Sequence, residues 1–195
     1  VKAKVYPSLD AMVRDIDRYI RAAVRRGAGL ICFPELFGLF TAFASPLVRG
    51  AFRALTALPS LGDSSGGDGG LNLAKLYAPF AFLSERYIAI MARFARHYNI
   101  WVSCGSVLAY QEGRVYNRHI LLNNAGGIAG IQDKLHLEPE EEALSLSRGQ
   151  TLTVVDTPLG KIALTVCMED TDFETFKKAK GLGADFALVP IANME

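Results

Sequence analysis

The sequence has no surplus of charge of either sign. Its 195 residues carry 21 Lys and Arg against 20 Asp and Glu, a formal net charge of +1. A nucleic-acid partner or an anionic membrane surface needs a basic footprint, so both are expected to be absent as partners. Long apolar runs are missing as well. The longest stretch free of Asp, Glu, Lys and Arg runs from His97 to Gln111 and already holds His97, Asn99 and Gln111. A membrane span needs about 18 apolar residues. No basic stretch followed by an apolar core opens the chain, so no signal peptide is read there. Cysteine is scarce: Cys32, Cys104 and Cys167 are odd in number and lack Cys-x-x-Cys spacing. That excludes a disulfide framework and fits free thiols in a reducing compartment. His97, His119 and His136 form no short-spaced ligand pair, so no metal is expected. No Gly-Lys-Ser/Thr follows the glycines, which excludes a phosphate-cradling loop. What is present is a 50% hydrophobic chain of single-domain size. A cytoplasmic protein is the expectation.

Apolar periodicity divides the chain into elements. Leu9, Met12, Val13, Ile16, Ile20, Ala23 and Val24 have helical spacing, with Ser8 as N-cap and Gly27 as stop. Leu30 to Phe33 is a short buried-strand pattern closed by Pro34, with Glu35 just beyond its end. The stretch 60–71 is almost wholly Gly, Ser and Asp and reads as a flexible loop within an insertion at about 40–84. A second helix is expected from Glu85 to Tyr98, capped by Ser84. Strands follow at Ile100–Tyr110, Val115–Asn123, Ile128–Asp133, Thr151–Val155 and Ile162–Val166, then a helix from Phe173 to Lys180 and a strand from Asp185 to Val189. Residues 27–34 and 183–190 echo each other: each follows a helix, forms an apolar strand and ends in proline. The expected fold class is mixed α/β.

Three residues with chemical promise, Glu35, Lys134 and Cys167, stand at or just past the C-terminal ends of expected strands, the edge where ligands bind in open α/β sheets. Cys167 lies between a strand and a helix, and a helix N-terminus can lower a thiol pKa and supply N–H groups to an oxyanion. A carboxylate such as Glu35 can act as its base, and Lys134 can stabilise negative charge. Taken singly, each has a plainer role: a buried small hydrophobe, a strand terminator, a solvated charge. Gly62-Asp63-Ser64-Ser65-Gly66-Gly67 looks superficially like a serine-nucleophile loop, but the first histidine is His97, downstream of it, and the segment reads as a linker.

The surrounding sequence decides among these. Cys32-Phe33-Pro34-Glu35-Leu36, Asp133-Lys134-Leu135-His136-Leu137-Glu138-Pro139 and Thr165-Val166-Cys167-Met168-Glu169-Asp170 follow one another in this order. Tyr116-Asn117 ahead of Gly126-Gly127, Asp156-Thr157-Pro158-Leu159-Gly160-Lys161, and Gly183-Ala184-Asp185 with Pro190 support them. Together they resemble the carbon–nitrogen hydrolase (nitrilase) superfamily over nearly the whole chain, the insertion after Phe40 excepted.

The resemblance implies a nitrilase-like four-layer α-β-β-α sandwich in one carbon–nitrogen hydrolase domain over 1–195. It implies Glu35 as general base, Lys134 as cationic stabiliser, Cys167 as nucleophile and, eight residues after the lysine, Glu142 as a second catalytic carboxylate, with Glu140 and Glu141 as the neighbouring registers. It further implies the Met168 backbone N–H as oxyanion donor, Glu169 and Asn193 as substrate-binding residues, no cofactor, and a homo-oligomer. The implied reaction is hydrolysis of a non-peptide amide or carbamoyl amide through a cysteine thioester. Nitrile hydrolysis by the same residues and a catalytically silent scaffold are the alternatives. Departures from the family pattern include Ala163 where a glycine is usual, and Gln132 and Asp133 before the lysine. Family domains continue beyond Pro190, so the chain is expected to lack the C-terminal part or to have its open edge covered by a partner subunit.

Overall fold

A computed structural model describes residues 6–39, 50, 81–170 and 172–192, with the backbone alone at Met168 and Asp170. The Gly/Ser/Asp-rich loop, most of the 40–84 insertion and Asn193 lie outside the described residues. Helix α1 (Leu9–Val24) starts where Ser8 Oγ accepts the Ala11 N–H at 3.2 Å, and it buries Met12, Ile16 and Ile20, one face of the 3.6-residue repeat. Strand β1 (Leu30–Cys32) follows. Helix α2 (Ala81–Tyr98) begins four residues before the expected start at Glu85. Ser84 is therefore inside the helix and not its cap; it is buried, and its hydroxyl donates to the Leu108 carbonyl at 2.7 Å.

Strands β2 (Trp101–Gln111), β3 (Arg114–Leu122) and β4 (Ile128–Asp133) form a meander, and β1 lies parallel beside β2. A short helix α3 (Pro139–Ala143) leads to the second sheet. There β5 (Thr153–Thr157) and β6 (Gly160–Leu164) form a hairpin, and β7 (Phe186–Leu188) lies parallel to β6. A 3-10 turn over Cys167–Asp170 and helix α4 (Phe173–Gly181) connect β6 to β7. The echo between residues 27–34 and 183–190 thus has a structural counterpart: β1 and β7 each enter after a helix and pair in parallel with one strand of their sheet.

Three apolar seams hold four layers together. Met12, Ile16, Ile20, Tyr87, Met91 and Ala95 of the two long helices pack on Ile100, Val102, Val107 and Ile120 beneath them. Leu121 of the first sheet meets Val155, Ile162 and Leu164 of the second, with Leu30, Trp101 and Leu188 against them. Ala179 of α4 covers Leu152 and Ala163 on the far side. Each large apolar side chain so buried contributes roughly 1.5–3 kcal/mol. The result is the α-β-β-α sandwich expected. Among the described residues, no helix is long and apolar enough to cross a membrane.

An imidazole is buried at the seam between the sheets. His119 of β3 lies 2.9 Å from the Thr165 carbonyl, just past β6, and 2.8 Å from Ser103 Oγ on β2. Burial pushes its imidazole from 6.5 down to about 4, against the pull of the Thr165 carbonyl. The ring is therefore neutral in the folded protein, whereas an unfolded chain protonates it near its ordinary value. Between the two values the unfolded state binds the extra proton, so stability falls as pH drops through this window. Thermal unfolding followed from neutral pH down to about pH 4 should show this loss, and His119→Asn should remove up to about 3 kcal/mol of it. Identical pH dependence in the two proteins would contradict the assignment.

Candidate active site

Glu35 is placed by a tight turn after β1. The Phe33 N–H continues the ladder to the Ser103 carbonyl at 3.0 Å, and the Leu36 N–H donates to Ser106 Oγ at 2.9 Å. Phe33 and Phe37 are buried against each other, ring centroids 5.1 Å apart, and Phe37 also meets Tyr87. Gly105 lets this turn sit against β2. A Cβ there would stand 1.9 Å from the Pro34 carbonyl, and its φ of +67° suits glycine.

Lys134 follows directly after β4. Its N–H donates to the Asn117 carbonyl at 2.9 Å and its carbonyl accepts from Gly149 at 2.8 Å, which extends the strand by one residue. Asp133, one step earlier, forms a two-pronged ion pair with Arg118 across the strands, at 2.6 and 2.9 Å. The alternation of the strand therefore turns Lys134 inward, where it is 1% exposed.

The lysine ammonium meets two carboxylates, Glu35 Oε1 at 3.1 Å and Glu141 Oε2 at 2.8 Å. Burial alone would lower its pKa, but the hydrogen bond and charge of Glu141, together with Glu35, outweigh burial and hold it above its ordinary value. Asn117 closes the ring. Its amide nitrogen donates to Glu35 Oε1 at 2.9 Å and to Glu141 Oε1 at 2.8 Å. Two carboxylate acceptors fix which end of the amide faces them. Glu35 Oε2 accepts the Ala192 N–H at 3.3 Å, so the segment after β7 also reaches the site.

The expected second carboxylate needs correcting. Glu142 points outward and pairs with Arg148, with about half of its side chain exposed. The glutamate facing the lysine is Glu141. In α3, Pro139 is the first helical residue and Glu141 the third, and Glu141 Oε2 accepts the Glu138 N–H at 3.0 Å. A third-position carboxylate that caps its own helix turns back over the first turn, here toward Lys134.

Cys167 sits where the chain leaves β6. Its φ is +45°, a left-handed conformation uncommon for a residue with a side chain. Neighbouring contacts hold it there. The Cys167 N–H donates to the Pro190 carbonyl at 3.0 Å, and the Val166 N–H donates to Glu169 Oε2 at 3.0 Å. The thiol donates to Glu138 Oε1 at 3.7 Å, and the Glu35 carboxylate and Lys134 ammonium are near enough to act on its ionisation. Burial, then the hydrogen bond and charge of Glu35, push its pKa up to about 12, with Glu138 adding to the rise and Lys134 opposing it. This reverses the expectation of a thiol lowered by a helix N-terminus. The 3-10 turn intervenes, and α4 starts only at Phe173.

Glu169, expected to bind substrate, is instead turned inward and fully buried. Its oxygens accept the N–H groups of Leu135 at 2.5 Å and Val166 at 3.0 Å, tying the lysine loop to the cysteine strand. Burial raises its pKa against those bonds. Met168 lies in the turn directly after Cys167. Among the described residues, no group of three His, Cys, Asp or Glu side chains is arranged to hold a metal ion.

This arrangement can be set beside known proteins. The carbon-nitrogen hydrolase family profile matches residues 2–194. The chain belongs to the carbon-nitrogen hydrolase family. It is 27% identical over 195 residues to the deaminated glutathione amidase of Dictyostelium discoideum, covering 93% of this chain and 58% of that protein. The human deaminated glutathione amidase is 31% identical over 187 residues, covering 89% and 48%. Among solved structures, a carbon-nitrogen hydrolase from Helicobacter pylori superimposes with a TM-score of 0.71 at 16% identity, covering 97% of this chain and 57% of that one. An amidase from Nesterenkonia sp. AN1 with acrylamide added at its active-site cysteine gives 0.68 at 20%, covering 98% and 63%. The chain thus spans less than two thirds of the length of these relatives, and the likeness to the solved structures shows the shared fold.

In this family member Asn117, Glu138 and Glu141 are polar partners to which the motifs alone assign no role. Asn117 was visible only as half of a Tyr-Asn pair. Glu138 and Glu141 carried a signal in their i, i+3 spacing around Pro139, a capping pattern within an acidic run. Removing Glu141 leaves a buried ammonium with one carboxylate, whereas Glu142 only loses a surface pair. Glu141→Ala should therefore lower unfolding stability by on the order of 2 kcal/mol, and Glu142→Ala by less than about 0.5 kcal/mol. Chemical denaturation of the two variants checks this; equal losses would contradict it.

Proposed function

We propose that the protein is a thiol hydrolase of a small-molecule amide or carbamoyl amide, forming a thioester on Cys167 and releasing ammonia or an amine. The observation that carries this reading is that the half-buried Cys167 thiol lies near enough to the buried Glu35–Lys134 ion pair for both to act on its ionisation. Because the thiol is held protonated, attack needs a base at the moment of bond formation. Glu35 takes the thiol proton as sulfur bonds to the carbonyl carbon, and the carbonyl π electrons move to oxygen. Lys134 has three N–H donors, two of them engaged by Glu35 and Glu141, so one is left for that oxyanion. The Met168 N–H is the second donor proposed. Glu35 then returns its proton to the leaving nitrogen as the carbon–nitrogen bond breaks. In the second half, water gives a proton to Glu35 while attacking the thioester, and the sulfur leaves and is reprotonated.

The names of the curated relatives, deaminated glutathione amidases, favour an amide over a nitrile. Asn193 remains proposed as a substrate contact, and a homo-oligomer as the working assembly. Ammonia release from a panel of amides, carbamoyl compounds and nitriles tests the reading. At least one amide or carbamoyl compound should be turned over. Cys167→Ala should abolish the reaction, and Glu35→Gln should slow it about a hundredfold or more. Turnover of nitriles alone would shift the substrate class. Turnover undiminished in Cys167→Ala, or absent throughout the panel, would contradict the reading.

A further inference from the structure

His119 stands behind the reacting groups, on β3 two residues beyond Asn117. A carbonyl oxygen only accepts, so the ring nitrogen facing Thr165, Nδ1, carries the proton. Nε2 is left as the acceptor of the Ser103 hydroxyl at 2.8 Å, and Ser103 Oγ accepts the Cys32 thiol proton at 3.1 Å. One directed chain of donors thus runs from Cys32 on β1, through Ser103 on β2 and His119 on β3, to the backbone just past β6. Both ends lie close to reacting residues. Cys32 is three residues ahead of Glu35, and Thr165 is two ahead of Cys167.

The base and the nucleophile belong to different sheets. Glu35 and Lys134 follow strands of the first and Asn117 lies on one, whereas Cys167 follows a strand of the second. A cysteine in a left-handed conformation keeps it only where its flanks are held. Thr165 is bonded to Leu188 within its own sheet, at 3.1 Å from both its N–H and its hydroxyl, and to His119 across the seam. Ser103, His119 and Thr165 are all fully buried, so solvent does not replace any of these bonds.

We propose that His119 is a positioning residue for the nucleophile: by tying the Thr165 carbonyl to the first sheet, it sets where the Cys167 thiol stands relative to the Glu35 carboxylate. The proposal rests on Cys167 acting as the nucleophile, as argued above. A small displacement of reacting atoms costs far more rate than binding. His119→Phe keeps the ring volume and removes both bonds. His119→Asn can still donate from the Nδ1 position, whereas the longer His119→Gln reaches toward Ser103 instead.

For the best substrate of the panel, His119→Phe should lower kcat by about tenfold or more, with KM changed by less than about threefold. His119→Asn should recover most of kcat and His119→Gln little of it. A kcat in folded His119→Phe within about twofold of the parent would overturn the proposal. Should the Phe variant not fold, equal kcat in the Asn and Gln variants overturns it. If the parent turns over nothing, iodoacetamide labelling at the Cys167 peptide decides the positioning alone. Labelling slower in His119→Gln than in His119→Asn supports it, and equal rates overturn it.

Discussion

The buried ammonium of Lys134 is the constraint around which the site is built. At 1% exposure it cannot rely on water, so the chain must supply counter-charge and acceptors where it lies. Glu35 and Glu141 supply the charge, but two carboxylates around one cation leave an excess of negative charge. That excess is met by neutral donors: both N–H groups of Asn117, the backbone of Glu138 and the backbone of Ala192. The partners come from four segments. Glu35 follows β1, Asn117 lies on β3, Glu138 and Glu141 frame α3, and Ala192 follows β7. Satisfying one cation therefore brings together segments from both sheets, and Cys167 lies beside them.

The same network explains the state of the thiol. A cysteine beside a lysine alone would ionise readily. Here two carboxylates and burial act against the lysine, and the sulfur keeps its proton. A neutral thiol hydrogen-bonded to a carboxylate is suited to transferring its proton only when an electrophile arrives. Resting thiolate is kept low, which also limits oxidation of the sulfur.

Much of this was legible in the chain. The strands read from alternation and from turns at Gln111-Glu112-Gly113 and Asn124-Ala125-Gly126-Gly127, and Glu35, Lys134 and Cys167 follow strand ends in the structure as in the sequence. Three motifs in order gave the family and the layered fold. What escaped depended on geometry too local or too distant for periodicity. α3 has five residues, too few for a hydrophobic repeat to show which glutamate faces inward, so the family spacing points to Glu142 while Glu141 faces the lysine. Glu169 looked like a substrate contact because nothing in its neighbours reveals that Leu135 and Val166 claim its oxygens. A helix starting at Cys167 would acidify the thiol, but the helix begins six residues later. Ser84 looked like a cap because the helical pattern before it was too weak to extend the element.

The coupling between Cys167 and Glu35 is tested most directly by thiolate absorbance against pH, with the Cys167→Ala spectrum subtracted. In the parent, Cys167 should show no thiolate at neutral pH. In Glu35→Gln, which loses the carboxylate that helps to hold the proton on sulfur, ionisation should move to lower pH. A thiolate already present at neutral pH in the parent, or an ionisation left unmoved by Glu35→Gln, would contradict the account.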